Sequence, residues 1–206
     1  MKQVDKDHYS FGTYAHPDRF ASYFYQLREL HKVSPKTILE VGVGDAVIGN
    51  YIRDNTDIKY TSIDVAADVN PDVIGSVLEM PFENETHDVV CAFEVLEHIP
   101  FESFEKAISE MSRVARTHVM VSVPHFGPPL KLLLKIPFIK EIRAAFKIPY
   151  HPAHTWNGQH YWEIGKKGCS AKAIREIMSK YGTLVSEYVP FENQYHHFFI
   201  LEKKSN

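Results

Sequence analysis

The stretch ILEVGVGDAVIGNYI, residues 38–52, combines two glycines and two carboxylates where an apolar run meets helix-forming sequence. Gly42 and Gly44 allow a tight turn and a close approach of a ligand to the backbone. The following helix, which we predict to begin at Asp45, presents unpaired N–H groups in its first turn. Glu40 and Asp45 carry negative charge there, which suits a ligand with a cationic end and opposes a diphosphate.

A further carboxylate, Asp64, ends the next apolar run and follows Gly44 by about 20 residues, where nucleotide-binding α/β proteins have a ribose-binding acid. A dinucleotide is one ligand that fits these residues, and it would imply an NAD-dependent oxidoreductase. Two residues count against it. The dinucleotide fingerprint requires a small residue where Val47 stands, and Asp45 puts negative charge where the pyrophosphate would approach.

The elements that must position these residues alternate between strand and helix. Apolar runs predict five strands before a C-terminal pair, and amphipathic spacing predicts helices between them. This pattern predicts an α/β fold with a Rossmann-like, doubly wound, mainly parallel seven-stranded sheet and a C-terminal antiparallel hairpin. Ligands of such sheets bind at the carboxyl ends of the strands. The predicted strands are 36–41, 58–64, 72–77, 87–95, 118–124, 183–191 and 195–203, and the predicted helices are 18–33, 45–55, 100–115 and 170–182.

Length and composition limit the class of protein. With 206 residues, of which 44% are hydrophobic, the chain is predicted to form a single domain with an N-terminal helical segment over about 1–34. A net charge of −3 does not indicate nucleic-acid binding. Cys91 and Cys169 do not make a disulfide framework, and neither a signal region nor a membrane span is evident. We therefore expect a cytoplasmic location.

Three stretches together resemble the class I S-adenosylmethionine-dependent methyltransferases, most closely the group often called type 11. They are LEVGVGDA, the acid that ends the second strand, and MPFENETHDVVCAFEVLEHIP at 80–100. The resemblance implies S-adenosyl-L-methionine as the cofactor and methyl transfer as the activity. In this family the motifs follow in the order acid-x-G-x-G-x-G, an acid, D-x-x-x-L-P-F, F-D-x-V and L-E-H. Here Ser76 stands where the D-x-x-x-L-P-F motif has its aspartate.

The resemblance also implies which residues bind the cofactor. They form four groups: the loop around the methionine part, the acid that accepts from the ribose hydroxyls, the neighbours of the adenine, and two positions that face the methionine amino group. In that order they are Glu40, Gly42, Val43 and Gly44; Asp64; Val65, Ser76 and Val77; and Phe93 and Glu94.

Histidines and aromatic residues near strand ends predict the acceptor side. His125 directly follows the fifth strand and is the first candidate for a proton acceptor, with His98 the second, because histidine titrates near neutral pH. Residues predicted to bind the acceptor are Tyr14, His154, Asn157, His160 and Trp162. Anchoring in the core is the alternative role for the aromatic members. No metal is expected, since His196 and His197 would point to opposite faces of a strand.

Residues 125–168 are too long for a simple loop and are predicted to form a lid or insertion after the fifth strand. Within them, 127–149 holds five basic residues and one acid, and a helix from Phe138 would separate an apolar side from a basic side. Such a helix can cover an active site or lie on an anionic membrane. Peripheral membrane contact through 130–147 is therefore the alternative to a lid.

The sequence thus predicts an S-adenosylmethionine-dependent methyltransferase that acts on a small-molecule acceptor: a sugar, a lipid-linked intermediate or another metabolite. Two alternatives stay open. One is the NAD-dependent oxidoreductase, and the other is a non-catalytic, membrane-peripheral binding protein with the same fold.

Overall fold

A computed structural model describes residues 6–148 and 150–204. Its centre is a seven-stranded sheet, and a two-stranded hairpin lies apart from it. The strands are β1 Thr37–Val41, β2 Lys59–Asp64, β3 Val73–Ile74, β4 His87–Phe93, β5 Ala115–Pro124, β6 Pro129–Leu134, β7 Ile142–Lys147, β8 Gly182–Tyr188 and β9 His196–Lys203. The sheet order is β3-β2-β1-β4-β5-β9-β8; the pairs from β3 to β5 are parallel, and β9 runs antiparallel to both neighbours. The predicted fold class is confirmed.

The helices are α1 Phe11–Tyr14, α2 Pro17–Lys32, α3 Val47–Asn55, α4 Phe104–Val114 and α5 Ala171–Met178, with single 3-10 turns at Lys6–Tyr9, Ala67–Val69, Leu96–His98 and Phe101–Ser103. Two of them begin at recognisable caps. His16 accepts the N–H of Arg19 ahead of Pro17, and Ser170 accepts the N–H of Ala173. Of the helical segment predicted over about 1–34, residues 1–5 lie outside the described residues. Over 6–148 and 150–204, no helix is long and apolar enough to cross a membrane.

Two hydrophobic layers cover the two faces of the sheet. Val89, Val90, Cys91 and Ala92 on β4 are all fully buried. Val90 and Ala92 pack in the layer that includes α4 and α5, whereas Val89 and Cys91 pack in the layer that includes α2 and α3. Successive side chains of a strand point to opposite faces, so this run is apolar throughout. The carboxyl ends of these strands are therefore held by a sheet that is packed on both faces.

The helix expected from Phe138 is wrong, because this part of the chain forms the antiparallel hairpin of β6 and β7. Leu130 lies opposite Phe146, and the apolar residues of each strand recur largely at every second position. That spacing fits a strand. The apolar and basic residues of this segment therefore lie on two paired strands and not on two sides of a helix.

Two element boundaries next to the site also differ from the sequence-based prediction. Helix α3 begins at Val47 and not at Asp45, because Ala46 adopts a left-handed conformation with φ 61°. Strand β3 is shorter than the predicted 72–77. The chain turns after it at Ser76, whose Oγ accepts the N–H of Leu78 at 3.2 Å.

Candidate active site

The turn between β1 and α3 depends on two glycines with positive φ, 82° at Gly42 and 55° at Gly44. The Gly42 N–H donates to the carbonyl of Ile63 on β2 at 2.8 Å. A Cβ at Gly42 would lie 2.4 Å from Val95 Cγ2, whereas a Cβ at Gly44 would have Tyr9 Cε1 as its nearest neighbour, at 3.8 Å. Packing within the loop therefore requires Gly42, whereas a Cβ at Gly44 would make only an ordinary van der Waals contact.

Asp64 ends β2 and faces this turn. Its Oδ2 accepts the N–H of Val43 at 2.9 Å, and its Oδ1 accepts the N–H of Ala66 at 2.8 Å. Each oxygen has a second lone pair beyond these bonds. The carboxylate is therefore oriented in advance and can accept hydrogen bonds from a diol without moving.

A cavity of about 540 Å³ opens at the carboxyl ends of β1, β2 and β4. Every residue that the sequence predicts for cofactor binding lines it: Glu40, Gly42, Val43, Gly44, Asp64, Val65, Ser76, Val77, Phe93 and Glu94. On the acceptor side, Tyr14, His98 and His160 line the same cavity. The parallel sheet brings distant parts of the chain together because the carboxyl ends of its strands share one edge.

Three buried carboxyl groups line the cavity. Burial raises the pKa of Glu40 to about 8, although the Tyr60 hydroxyl donates a hydrogen bond to the carboxylate. Burial also raises the pKa of Glu94 to about 8. The pKa of Glu97 is raised well above its usual range by burial and by the nearby Glu94. A cation stabilises the ionised form of such groups, so the cavity favours a ligand that brings positive charge.

Arg19, in the first turn of α2, also lines the cavity and was missed in the sequence. Its guanidinium carbon lies 4.2 Å from the centre of the Tyr14 ring. Its Nε is buried and has no hydrogen-bond partner among the described residues. A guanidinium N–H in this position is available to an incoming carboxylate. An arginine two residues after the helix-starting Pro17 was the available signal, but nothing in the sequence showed that this helix end faces the cavity.

His98 stands on the 3-10 turn after β4 and faces His160, with the ring centres 5.1 Å apart. Its Nδ1 lies 3.0 Å from the carbonyl oxygen of Gln159. A carbonyl can only accept, so Nδ1 carries the hydrogen and Nε2 has the lone pair. Burial lowers the pKa of His98 to about 4, and the imidazole is therefore neutral at pH 7.

The first predicted proton acceptor, His125, does not line this cavity. Its ring stacks on that of His197 with centres 5.0 Å apart, and the two Nδ1 atoms are 3.0 Å apart. It borders a separate cavity of about 470 Å³. Burial lowers its pKa to about 3. The sequence located the end of β5 but could not show the direction in which the following side chain turns.

Trp162 is a core residue and not part of the cavity wall. It is 4% exposed, its indole N–H donates to the Ile99 carbonyl at 3.0 Å, and its ring centre lies 5.2 Å from that of Phe101 and 5.5 Å from that of Phe104. These contacts fit the alternative role, in which Trp162 anchors the 125–168 segment in the core, and not a role in binding the acceptor.

Asn157 and His154 also lie outside the cavity lining. Asn157 Oδ1 accepts the N–H groups of Gln159 and His160 at 3.0 and 2.8 Å. His154 Nε2 lies 2.8 Å from the carbonyl oxygen of His160. Both side chains therefore shape the backbone that presents His160 to the cavity.

Residues 39–122 match the family model described as Methyltransferase domain. No curated protein sequence matches the chain. The family match, together with the sheet order, confirms the resemblance to the class I, type 11-like S-adenosylmethionine-dependent methyltransferases.

Several solved structures are similar to this chain. The N-methyltransferase NodS from Bradyrhizobium japonicum WM9, in complex with S-adenosyl-L-homocysteine, aligns with TM-score 0.61 and 12% identity over 92% of this chain and 89% of its own. Burkholderia thailandensis 1,6-didemethyltoxoflavin-N1-methyltransferase, with 1,6-didemethyltoxoflavin and S-adenosylhomocysteine bound, aligns with TM-score 0.57 and 14% identity over 93% and 92%. The cyclase SpnF aligns with TM-score 0.60 and 11% identity over 91% and 82%. At these identities the likeness shows the fold alone.

Proposed function

We propose that the protein is an S-adenosyl-L-methionine-dependent methyltransferase that acts on a small-molecule acceptor. The observation that carries the proposal is the convergence of all ten residues implied by the family resemblance on one cavity. Similar folds in NodS and in the didemethyltoxoflavin methyltransferase were solved with S-adenosylhomocysteine, and the second also with a bound small molecule. These neighbours support both the cofactor and the class of acceptor.

The charges of the cavity fit this cofactor. When bound, it supplies an electrophilic methyl group on a positively charged sulfur. Glu40 and Glu94 favour its positive charges, and Arg19 is available to its carboxylate. Asp64 accepts from the ribose hydroxyls, and Val65, still 47% exposed in the cavity wall, covers the adenine.

The same turn disfavours a pyrophosphate. Asp45 Oδ1 accepts the N–H of Val47 at 3.4 Å, and Tyr23 donates its hydroxyl hydrogen to the other oxygen. This carboxylate sits at the start of α3, where a dinucleotide would put its phosphates. The arrangement supports a methyltransferase over the NAD-dependent oxidoreductase.

The acceptor binds, in this proposal, between the N-terminal segment and the wall that carries His98 and His160. Tyr14 and Arg19 belong to the first side, and Gln159 belongs to the second. An acceptor hydroxyl must lose a proton, and neutral His98 is a group that can take it. A neutral amine acceptor requires only correct positioning and exclusion of water.

Titration calorimetry tests the proposal with S-adenosylhomocysteine and, in parallel, NAD⁺. We expect micromolar binding of the first and none of the second. Gly44→Val should abolish binding by filling the space above the turn. Gly168→Val is the matched control, because Gly168 also has positive φ (88°) and room for a Cβ but does not line the cavity at the ends of β1, β2 and β4. Binding of NAD⁺ alone would overturn the proposal, as would binding that survives Gly44→Val.

As a partner for the enzyme we propose an anionic membrane surface, contacted by the hairpin of β6 and β7. The register puts six exposed apolar side chains of the two strands on one face. They are Leu130, Leu132, Leu134, Ile142, Ala144 and Phe146, and the five larger ones are each 45–61% exposed. The other face touches the body of the protein. Lys131 donates to the Glu192 carbonyl at 3.2 Å, and Arg143 pairs with the Glu192 carboxylate. The apolar face is therefore directed outward.

The connection between the two strands supports a lipid surface as the occupant. Ile136, Phe138 and Ile139 are exposed there, with Phe138 fully exposed, and Lys135 and Lys140 flank them. Apolar side chains between lysines suit insertion among anionic headgroups, because each lysine can keep its charge at the interface. A lipid-linked acceptor would be met at the same surface.

Vesicle co-sedimentation tests this contact, with phosphatidylcholine vesicles that contain or lack phosphatidylglycerol. We expect binding to the anionic vesicles and a loss of about tenfold or more in Phe138→Asp, since burying a large apolar side chain contributes about 1.5–3 kcal/mol. Phe24→Asp is the matched control, because Phe24 is 62% exposed on α2. No vesicle binding, or self-association that Phe138→Asp abolishes, would overturn the membrane contact.

A further inference from the structure

A cluster of three metal-ligating side chains stands in the wall of the cavity. Glu97 and His98 come from the 3-10 turn after β4, and His160 comes from the segment between β7 and α5. One ligand atom from each lies within 4.8 Å of the other two. The Nε2 atom of His98 is 4.0 Å from Glu97 Oε1. All three residues line the cavity in which we propose that the cofactor and the acceptor bind.

The Glu97 carboxyl group of the cluster is buried and only partly hydrogen-bonded. The Glu97 side chain is 1% exposed, and its Oε2 has no hydrogen-bond partner among the described residues. Burying a carboxylate in this way is costly, and a native protein usually supplies a partner for such a group. A bound cation would supply a partner for this oxygen.

His98 is oriented as a metal-bound histidine usually is. The Nδ1 hydrogen of His98 is donated to the Gln159 carbonyl, which orients the ring and directs the lone pair of Nε2 toward Glu97. Metal-bound histidines are commonly fixed by just such a bond from the other ring nitrogen. On the second histidine, Nδ1 of His160 is buried without a hydrogen-bond partner among the described residues, and Glu163 Oε1 lies 3.5 Å from it. Glu163 is itself held by Lys166 at 3.0 Å.

Backbone contacts hold the two parts of the cluster together. The N–H of Tyr161 donates to the Glu97 carbonyl at 2.8 Å, next to the bond from His98 to Gln159. Trp162 anchors the same segment in the core. The three side chains are therefore held near one another by elements that do not depend on a ligand, and only small side-chain shifts are needed to close around an ion.

We propose that Glu97, His98 and His160 bind one divalent transition-metal ion in the acceptor half of the cavity. Two imidazoles and one carboxylate suit zinc, iron(II) or cobalt(II) better than magnesium, which prefers oxygen ligands throughout. Three protein ligands leave coordination positions open for an oxygen of the acceptor. With an ion bound, Nε2 of His98 would be a ligand and no longer a proton acceptor, and the ion itself would promote loss of the hydroxyl proton to water. This inference rests on the proposed methyltransferase function, and it selects acceptors with a hydroxyl or carboxylate oxygen that can coordinate the ion.

Calorimetric titration of the full chain with Zn²⁺, and the visible absorption of added Co²⁺, test the site. We expect one tight site per chain. His98→Gln and His160→Gln should each weaken it by about tenfold or more, because even the loss of a residue that only orients a ligand has an effect of about 10- to 100-fold. Both side chains are partly exposed, and circular dichroism verifies that the variants fold.

Two matched controls separate this site from other histidines. His31→Gln, on the exposed end of α2, and His125→Gln, in the separate cavity, should bind Zn²⁺ like the wild type. Zinc binding that is absent in the wild type, or that is lost in a control and kept in His98→Gln and His160→Gln, would overturn the site.

The same variants distinguish failure of the metal site from failure of the proposed function. We expect His160→Gln to retain S-adenosylhomocysteine binding while it loses Zn²⁺, and Asp64→Asn to show the reverse. A wild type that binds S-adenosylhomocysteine but not Zn²⁺ overturns the metal site alone. A wild type that binds Zn²⁺ but not S-adenosylhomocysteine overturns the methyltransferase proposal and leaves a metal site of another function.

Discussion

Asp64 is held by two backbone N–H groups, from Val43 and Ala66, so its carboxylate is oriented before any ligand arrives. We expect Asp64→Asn to weaken S-adenosylhomocysteine binding by about tenfold or more, because hydrogen bonds to a charged group contribute about 1.5–3 kcal/mol. Titration calorimetry measures the change in dissociation constant.

Asp72→Asn is the matched control for this variant. Asp72 accepts the N–H of Ser62 on β2 at 2.8 Å and pairs with Arg53 at 2.6 Å, and it lies outside the cavity lining. Its substitution should leave binding unchanged. An Asp64→Asn protein that binds as tightly as the wild type would remove the ribose assignment, and equal losses in both variants would point to a general disturbance of β2.

Single residues differed in how far the sequence could predict them. Gly42, Gly44 and Asp64 lie at strand ends whose location follows from the apolar runs, so the sheet brings them together. Arg19 was missed because the packing of α2 against the cavity depends on contacts that are distant in the chain. His125 was located correctly along the chain, but pairing with His197 turns its ring elsewhere.

At the scale of elements, Trp162 connects the long segment after β5 to the core. We expect Trp162→Phe to lower the free energy of unfolding by about 1–3 kcal/mol, because the Ile99 carbonyl loses its donor and the smaller ring leaves a gap beside Phe101 and Phe104. S-adenosylhomocysteine affinity should be unchanged. Urea unfolding provides the first quantity and calorimetry the second.

Trp156→Phe is the control for that substitution, since Trp156 is 51% exposed and packs on Tyr161 at the surface. Its stability should match the wild type. An unchanged urea midpoint in Trp162→Phe, or a loss of cofactor affinity without a loss of stability, would contradict the anchoring role.

The strands of the main sheet and the helices that cover it were predictable, because unbroken apolar runs mark the buried strands and amphipathic spacing marks the helices. The hairpin of β6 and β7 was not, because its apolar residues are exposed and follow no buried face. Leu132, Leu133 and Leu134 are consecutive, which obscures the two-residue period, and the basic residues fit a helical spacing equally well. Only pairing of the two strands distinguishes the two arrangements.

At the scale of the whole molecule, the buried Glu40 couples stability to pH. Its pKa is raised to about 8 in the folded protein, above the value expected of an unfolded chain. Between these two values the unfolded chain is ionised while the folded protein keeps its proton, so this group lowers the free energy of unfolding as pH rises toward 8. Urea unfolding at pH 5, 6.5 and 8 measures the trend.

We expect Glu40→Gln to show a shallower decline than the wild type over this range, because the amide does not titrate. Glu83→Gln, at an exposed position, should follow the wild type. A Glu40→Gln protein whose stability falls as steeply with pH as that of the wild type would mean that Glu40 is ionised in the folded state.

The most direct measurement is a crystal structure of the protein with S-adenosylhomocysteine. We predict the ligand in the cavity at the ends of β1, β2 and β4, with its ribose hydroxyls on the Asp64 carboxylate, its adenine against Val65 and its carboxylate near Arg19. A ligand bound elsewhere on the protein, or one in this cavity with its ribose turned away from Asp64, would contradict the proposed cofactor site.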